Sequence, residues 1–402
     1  MELTRAYKFR IYPDATRQAE IDERLILAQQ FYNKILEKSI ESYKNGKRKV
    51  SMVQFNRFVK EIIQEDKKYL KLYSQTRCEI EYKLFKAYQN FFRRIKEGNK
   101  KAGFPRFKSR DRYKSITYPQ DNGSFSIRKD RLRVSRIGTM KIELHRKTEG
   151  TIKRLAIKRE GNDYYAIFTT INNIKVPDVE NTNPVGIDLG LDSFIAMSDG
   201  TKIEKPKFVK KSEKHIARWQ RRIAKRRKGS KRRESAKLKL QKKWEHVANQ
   251  SNDFAHKLSD KLVNSGYTSF AVEDLHIQNM VKNHNLAQSI YNASWNRFIQ
   301  MLSYKAESAG TKVIKVDARN TSKECSSCGN IQDMPLSIRE YNCNRCGMRL
   351  DRDINASINI LNRATLGQRG SRAQGESVRP QSEAVLEELR TYPANAGEAN
   401  DF

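Results

Sequence analysis

The sequence predicts an α/β protein of more than one domain, on three observations. With 402 residues the chain exceeds a typical single domain. Strand-like alternation near the start and again over residues 123–172 brackets a helical stretch, and strand, helix and strand patterns resume from residue 184. Between the halves, "NIKVPDVENTN" (173–183) is polar, contains Pro177 and reads as a linker.

Each element has its own signal. "LTRAYKFRIYP" alternates and is ended by Pro13, after which Ile21, Leu25, Phe31, Ile35 and Ile40 recur at helical spacing. A second helix fits 51–65. In the third, "QTRCEIEYKLFKAYQNFFRRIKEG", the stripe Ile80, Leu84, Tyr88, Phe91 and Ile95 is expected to face the core. The cations around it, Arg93 and Arg94 among them, are candidates for phosphate contact. "KKAGFPRFKSRDRYKS" breaks the helix at Gly103 and Pro105 and interleaves aromatics with cations such as Arg106, a composition suited to base stacking and phosphate neutralisation. Residues 123–172 give alternating runs punctuated by Gly138, Gly150 and Gly161-Asn162, expected to form a small antiparallel barrel or sheet that the first strand joins.

In the second half, "PVGIDLGLDSFIAMSDGTKI" reads as three strands with a turn at Asp199-Gly200, and 209–264 as a helical pair broken near Gly229. The run "RWQRRIAKRRKGSKRR" places Arg221 and Arg222 in a dense block of one sign, which repels itself unless a polyanion is present. "GYTSFAVEDLHI" is a buried strand, "SWNRFIQMLSYKAESAG" a helix and "TKVIKVD" a second buried strand, an order that calls for a crossover into parallel pairing. Beyond Leu366 the chain is rich in Gly, Ser, Gln and Pro and is expected to be disordered, apart from a short helix at 382–390.

Charge narrows the function. Eighty Lys and Arg against 46 Asp and Glu leave +34, with a pI near 9.9, the electrostatic signature of a nucleic acid partner. No stretch resembles a signal peptide and no apolar run approaches a bilayer span, so the expected location is cytoplasmic and nucleoid-associated, with no membrane partner.

Four of five cysteines form two Cys-x-x-Cys pairs, Cys325/Cys328 and Cys343/Cys346, each followed by a glycine. The spacing is that of a knuckle holding one tetrahedral Zn²⁺, and four thiolates leave that ion no open position, so it is structural. Chemistry then falls to acidic residues standing where the pattern asks for apolar or neutral ones: Asp188 in a Val-Gly-Ile-Asp strand, Glu273 at the end of a buried strand, and Asp353 before "INASINIL". Separately, each could be a turn, surface or N-cap carboxylate. Together they form a hard-oxygen site for Mg²⁺ or Mn²⁺, the ions that serve phosphodiester hydrolysis.

The ordered set "VGIDLGL", "AVEDL", the four cysteines and "DRDINASINIL" resembles the nuclease half of the TnpB (OrfB) proteins encoded by insertion sequences, RNA-guided DNA endonucleases related to type V CRISPR effectors. "AYKFRIYP", "NFFRRIKEG" and "GFPRFKSR" are similar to the family's N-terminal half. The resemblance implies a β-barrel wedge domain (1–13 with 103–172) carrying a helical recognition insertion (14–102), and a ribonuclease H-like (RuvC-like) nuclease domain (184–320). It also implies an inserted zinc knuckle (321–349) and a last nuclease helix (350–365). By motif, Asp188, Glu273 and Asp353, rather than Asp351, are its catalytic carboxylates. Ser357 stands where many relatives have Ala. The implied partners are a guide RNA from the transposon end and target double-stranded DNA, in a monomeric ribonucleoprotein. Sequence choice would rest with the RNA, since no helix-turn-helix is recognisable, and Tyr73, Gln75 and Thr76 would read a short motif beside the target. The alternatives are a nuclease-inactive or RNA-guided DNA-binding repressor, a transposase proper, and an actin-like ATPase, which would need a second Gly-rich phosphate loop.

Overall fold

The computed structural model describes residues 1–45, 51–99, 102–120, 123–190, 192–275, 294–335 and 337–369. The helix expected at 382–390 and most of the tail lie outside them. Backbone contacts divide the chain between Asn173 and Ile174.

The N-terminal unit is built on β1 (Glu2–Tyr12), whose Leu3, Tyr7, Phe9 and Ile11 are buried. Pro13 stops the strand. Asp14 then caps α1 (Ala15–Lys44), its side chain accepting from the Arg17 amide at 2.8 Å. Next come α2 (Met52–Glu65) and α3 (Ser74–Lys96). The chain returns through β2 (Ser115–Tyr118), β3 (Phe125–Arg128), β4 (Arg131–Val134), β5 (Gly138–Glu143), β6 (Thr151–Glu160) and β7 (Asp163–Asn173).

These strands form one seven-stranded sheet in the order β2-β6-β7-β1-β5-β4-β3, every neighbour antiparallel. The first strand therefore takes a central position. Among the described residues the ladder does not close into a ring: β2 and β3, four residues each, are its two edges. Phe9 and Phe168 of the sheet share a core with Phe31, Phe55 and Tyr88 of the helices. The α3 stripe meets that core through Ile80, Leu84 and Tyr88, but Ile95 is 49% exposed, so its last turn leaves the packed face.

The second unit opens with β8 (Pro184–Asp188), β9 (Ser193–Met197) and β10 (Lys202–Glu204), paired antiparallel. A hairpin of α4 (Phe208–Ala224) and α5 (Lys231–Val263) follows. Then come β11 (Ser269–Glu273), α6 (Trp295–Ser308) and β12 (Lys312–Val316). The sheet order is β10-β9-β8-β11-β12, with β11 parallel to both β8 and β12. A two-stranded ladder, β13 (Glu340–Asn342) and β14 (Arg349–Asp351), leads into α7 (Arg352–Arg369), which runs four residues beyond the expected 365.

The period of two along β8 and β11 decides which face does what. Val185, Ile187, Phe270 and Val272 pack with Leu258 and Leu262 of α5 and with Phe298 and Leu302 of α6. The intervening Ala271 packs with Ile360 and Ala364 of α7 on the opposite face. Gly186 marks how close α7 comes, since a Cβ there would lie 2.0 Å from the Ser357 carbonyl. Any side chain at 186 would push the helix off the strand.

Candidate active site and metal centre

Asp188 and Glu273 share strand parity with Gly186 and Ala271, so both point to the α7 face. Register pairs Ile187 with Val272, placing the two acids side by side at the carboxyl ends of parallel neighbours. Asp353 lies in the first turn of α7, which Gly186 admits to the same end of the sheet. Three carboxylates from three elements are thereby collected.

The cost of collecting them is visible electrostatically. Burial pushes the Asp188 carboxyl well above the usual carboxylate range, and the neighbouring Glu273 and Asp353 charges push it the same way. Glu273 is 7% exposed, and burial raises its carboxyl too, against the Thr321 hydroxyl and the Arg363 guanidinium. Such a set is expensive to ionise without a cation, and hard carboxylate oxygens are the donors a divalent ion would take, although among the described residues it is the four cysteines whose ligand atoms converge closely enough to hold one.

The structure separates the two aspartates that flank Arg352. Asp351 is the cap of α7, its Oδ1 accepting from the Asp353 amide at 2.9 Å and the Ile354 amide at 3.2 Å. Burial works against its ionisation, but the Lys202 ammonium and those amides prevail and hold it below the ordinary range. The Asp353 carboxyl is left for other work, with Lys202 Nζ 3.5 Å from its Oδ2 and 2.6 Å from Asp351 Oδ1. Ser357 is fully buried, and its hydroxyl donates to the Ile354 carbonyl at 2.7 Å within the helix.

The four cysteines converge. Their sulfurs all lie within 4.8 Å of one another, with Cys325–Cys346 at 3.7 Å and Cys328–Cys343 at 3.6 Å. Four thiolates at about 2.3 Å from a tetrahedral zinc would stand about 3.8 Å apart, so the cluster fits such an ion. The two knuckles repeat one geometry: the Gly329 amide donates to Cys325 O at 2.9 Å and the Gly347 amide to Cys343 O at 3.0 Å, both glycines at positive φ.

Two further residues, Arg352 and Asn355, tie this cluster to α7, which carries Asp353. Arg352 is 7% exposed and binds the Pro335 carbonyl at 2.9 Å, while its amide donates to Arg339 O at 2.8 Å. Asn355, fully buried, donates from Nδ2 to Glu324 O at 2.7 Å. Their signal was available: polar residues recur on α7 at spacings of three and four where an amphipathic helix should be apolar.

The nucleic-acid candidates divide. Thr76 is corrected: it is 2% exposed and its hydroxyl donates to the Thr117 carbonyl at 3.0 Å, because the first turn of α3 packs on β2, so it is a core pin. Tyr73 stacks on Tyr118 with ring centres 5.7 Å apart, and Gln75 is half-buried beside it. Arg93 is exposed with Glu97 at 3.2 Å, while Arg94 lies 3.2 Å from Asn90 O and 3.4 Å from Gly103 O. Arg106 and Phe107 are exposed, whereas Phe104 packs on Tyr88 and Phe91. Arg221 is exposed, and Arg222 lies 4.7 Å from the Trp219 ring centre. Among the described residues no helix is long and apolar enough to cross a membrane.

Family models match three stretches: "Helix-turn-helix domain" over 1–48, "Probable transposase" over 166–284 and "Cas12f1-like, TNB domain" over 295–360. The first departs from the expectation of no helix-turn-helix, although the matched residues form β1 and the single helix α1 as far as Lys44. A Streptomyces pristinaespiralis protein described as "Putative RNA-guided DNA endonuclease" is 31% identical over 95% of this chain and 94% of its own length. InsQ of Escherichia coli (strain K12), of the same description, is 26% identical over 90% and 92%. A chain from the cryo-EM structure of the Cas12f1-sgRNA-target DNA complex superposes with a TM-score of 0.59 at 15% identity, covering 90% of this chain and 99% of its own, a likeness of fold. The chain belongs to the TnpB (OrfB) family of transposon-encoded RNA-guided DNA endonucleases, which is related to the type V CRISPR effectors.

Proposed function

We propose that the chain is an RNA-guided DNA endonuclease encoded by an insertion sequence, and that Asp188, Glu273 and Asp353 are its catalytic carboxylates. The observation that carries the reading is the delivery of three acids, from β8, β11 and α7, to one end of the mixed sheet, where burial and mutual repulsion call for cations. The strand order and the α7 crossing support a ribonuclease H-like (RuvC-like) identity for this unit. The N-terminal sheet with its inserted helices supports the wedge and recognition assignment.

Mg²⁺ or Mn²⁺, when bound, would activate a water and stabilise the departing oxygen of the phosphodiester. The chain's part is to hold the carboxylates. Asp351 secures the start of α7, and the four cysteines, as a structural zinc site, make the insertion before it rigid. Guide RNA from the transposon end is held through its backbone by distributed cations, and base pairing supplies sequence choice. The working particle is a monomeric ribonucleoprotein.

The test is reconstitution with that RNA and a DNA library carrying one matched target beside randomised flanking bases. Cutting should require Mg²⁺ or Mn²⁺, guide complementarity and a short fixed flanking motif. Asp188→Ala, Glu273→Ala and Asp353→Ala should each lose cutting while RNA affinity stays within about twofold, since affinity rests on the cations. Cutting without RNA would remove the guided reading, and wild-type cutting by Asp353→Ala would remove its catalytic role.

A further inference from the structure

Thr321 lies between β12 and the first cysteine pair and is 4% exposed. Its hydroxyl meets Glu273 Oε1, with the Ala318 carbonyl 3.3 Å away as a second acceptor. A hydroxyl carries one proton and serves one acceptor at a time, and a carboxylate is the stronger claimant.

The backbone around Thr321 is anchored from one face of α7. Asn359 Nδ2 donates to Thr321 O at 2.9 Å and to Glu324 O at 2.7 Å. Asn355 holds the same Glu324 carbonyl, and its Oδ1 accepts from the Ser326 amide at 2.9 Å, next to Cys325. One turn beyond Asn359, Arg363 donates to the Asp317 and Arg319 carbonyls at 2.7 and 2.6 Å. The segment is thus fixed along the helix whose first turn carries Asp353, and Thr321 is the side chain by which it bonds to Glu273.

We propose that Thr321 is a positioning residue for Glu273: its hydroxyl holds Oε1 and fixes the carboxylate rotamer, leaving Oε2 for a divalent cation. The knuckle would then orient Glu273 through Thr321 as well as Asp353 through α7. This rests on the nuclease reading above. Partners that orient a metal-ligating carboxylate commonly matter about ten- to hundredfold in metal affinity or activity.

Thr321→Val keeps the shape and deletes the proton; Thr321→Ser keeps the proton and deletes a methyl. The pair separates hydrogen bonding from packing. In the full chain freed of RNA, Mn²⁺ titration followed by electron paramagnetic resonance should show about ten- to hundredfold weaker binding for Thr321→Val. The reconstituted particle should need correspondingly more divalent ion for half-maximal guided cutting. Thr321→Ser should restore both, with zinc content and RNA affinity unchanged throughout. Thr321→Ala gives the same deletion if valine is not accommodated. Wild-type Mn²⁺ binding by the hydroxyl-free variants, or equal impairment in Thr321→Ser, would overturn the proposal. Asp188→Ala run in parallel keeps the two readings apart. If it is inactive while Thr321→Val is normal, only the role of Thr321 falls; if it cuts normally, the nuclease reading falls and takes this proposal with it.

Discussion

Glu81 on α3 shows how one residue can set a pH dependence away from any site. It is 2% exposed, one carboxylate oxygen is buried with no hydrogen-bond partner among the described residues, and burial pushes its carboxyl up to about 7. A carboxyl raised on folding is favourable to stability below its unfolded value, and that advantage is lost as pH climbs through the folded value. Stability of the N-terminal unit should therefore fall between pH about 4.5 and about 7. Glu81→Gln should flatten that slope, raise the melting temperature at pH 8, and add stability there of at most about 3 kcal/mol. Equal slopes in thermal melts of the two proteins would refute it. Glu81 is invisible in the sequence, where it is one of two glutamates on a helix that is charged on most sides. Only packing shows that Glu79 finds Lys83 at 3.2 Å while an oxygen of Glu81 is left alone.

At the scale of elements, the knuckle and α7 act as one unit. The β13–β14 ladder runs into Asp351, Asp351 caps α7, and Arg352 and Asn355 reach back to the loops that carry the cysteines. Cys343→Ser, or zinc chelation, should therefore cost more than the knuckle itself. Guided cutting should be lost along with zinc, while RNA affinity changes little, because the basic hairpin of α4 and α5 is a separate element. Metal analysis and hydrogen exchange at the start of α7 are the measurements. Full activity in a zinc-free chain would refute the coupling.

For the molecule as a whole, +34 spread over two units makes polyanion affinity a sum of many small terms. RNA affinity should fall steeply with salt, and Arg221→Ala should reduce the slope of log K against log salt by about 0.7–0.9, the contribution of one phosphate contact. Thr76→Ser should leave the slope unchanged, since Thr76 is buried and bonded within the N-terminal core. An unchanged slope in Arg221→Ala would remove that arginine from the interface.

Periodicity and spacing determined most of the elements. Helical stripes such as Ile21, Leu25 and Phe31, the β8–β9–β10 run, the β11–α6–β12 order and the cysteine pairs were all legible, because each is a local pattern that the backbone obeys locally. Motif resemblance singled out Asp353 over Asp351; what the structure adds is that Asp351 caps α7 by accepting from two amides. Tertiary structure alone decided what depends on distant partners. It placed β1 at the centre of the sheet, set β2 and β3 at the edges of the described ladder, and turned Thr76 inward. It also set Thr321 against Glu273 across 48 residues, because a single threonine has no periodicity and its role exists only once two separate segments are packed together.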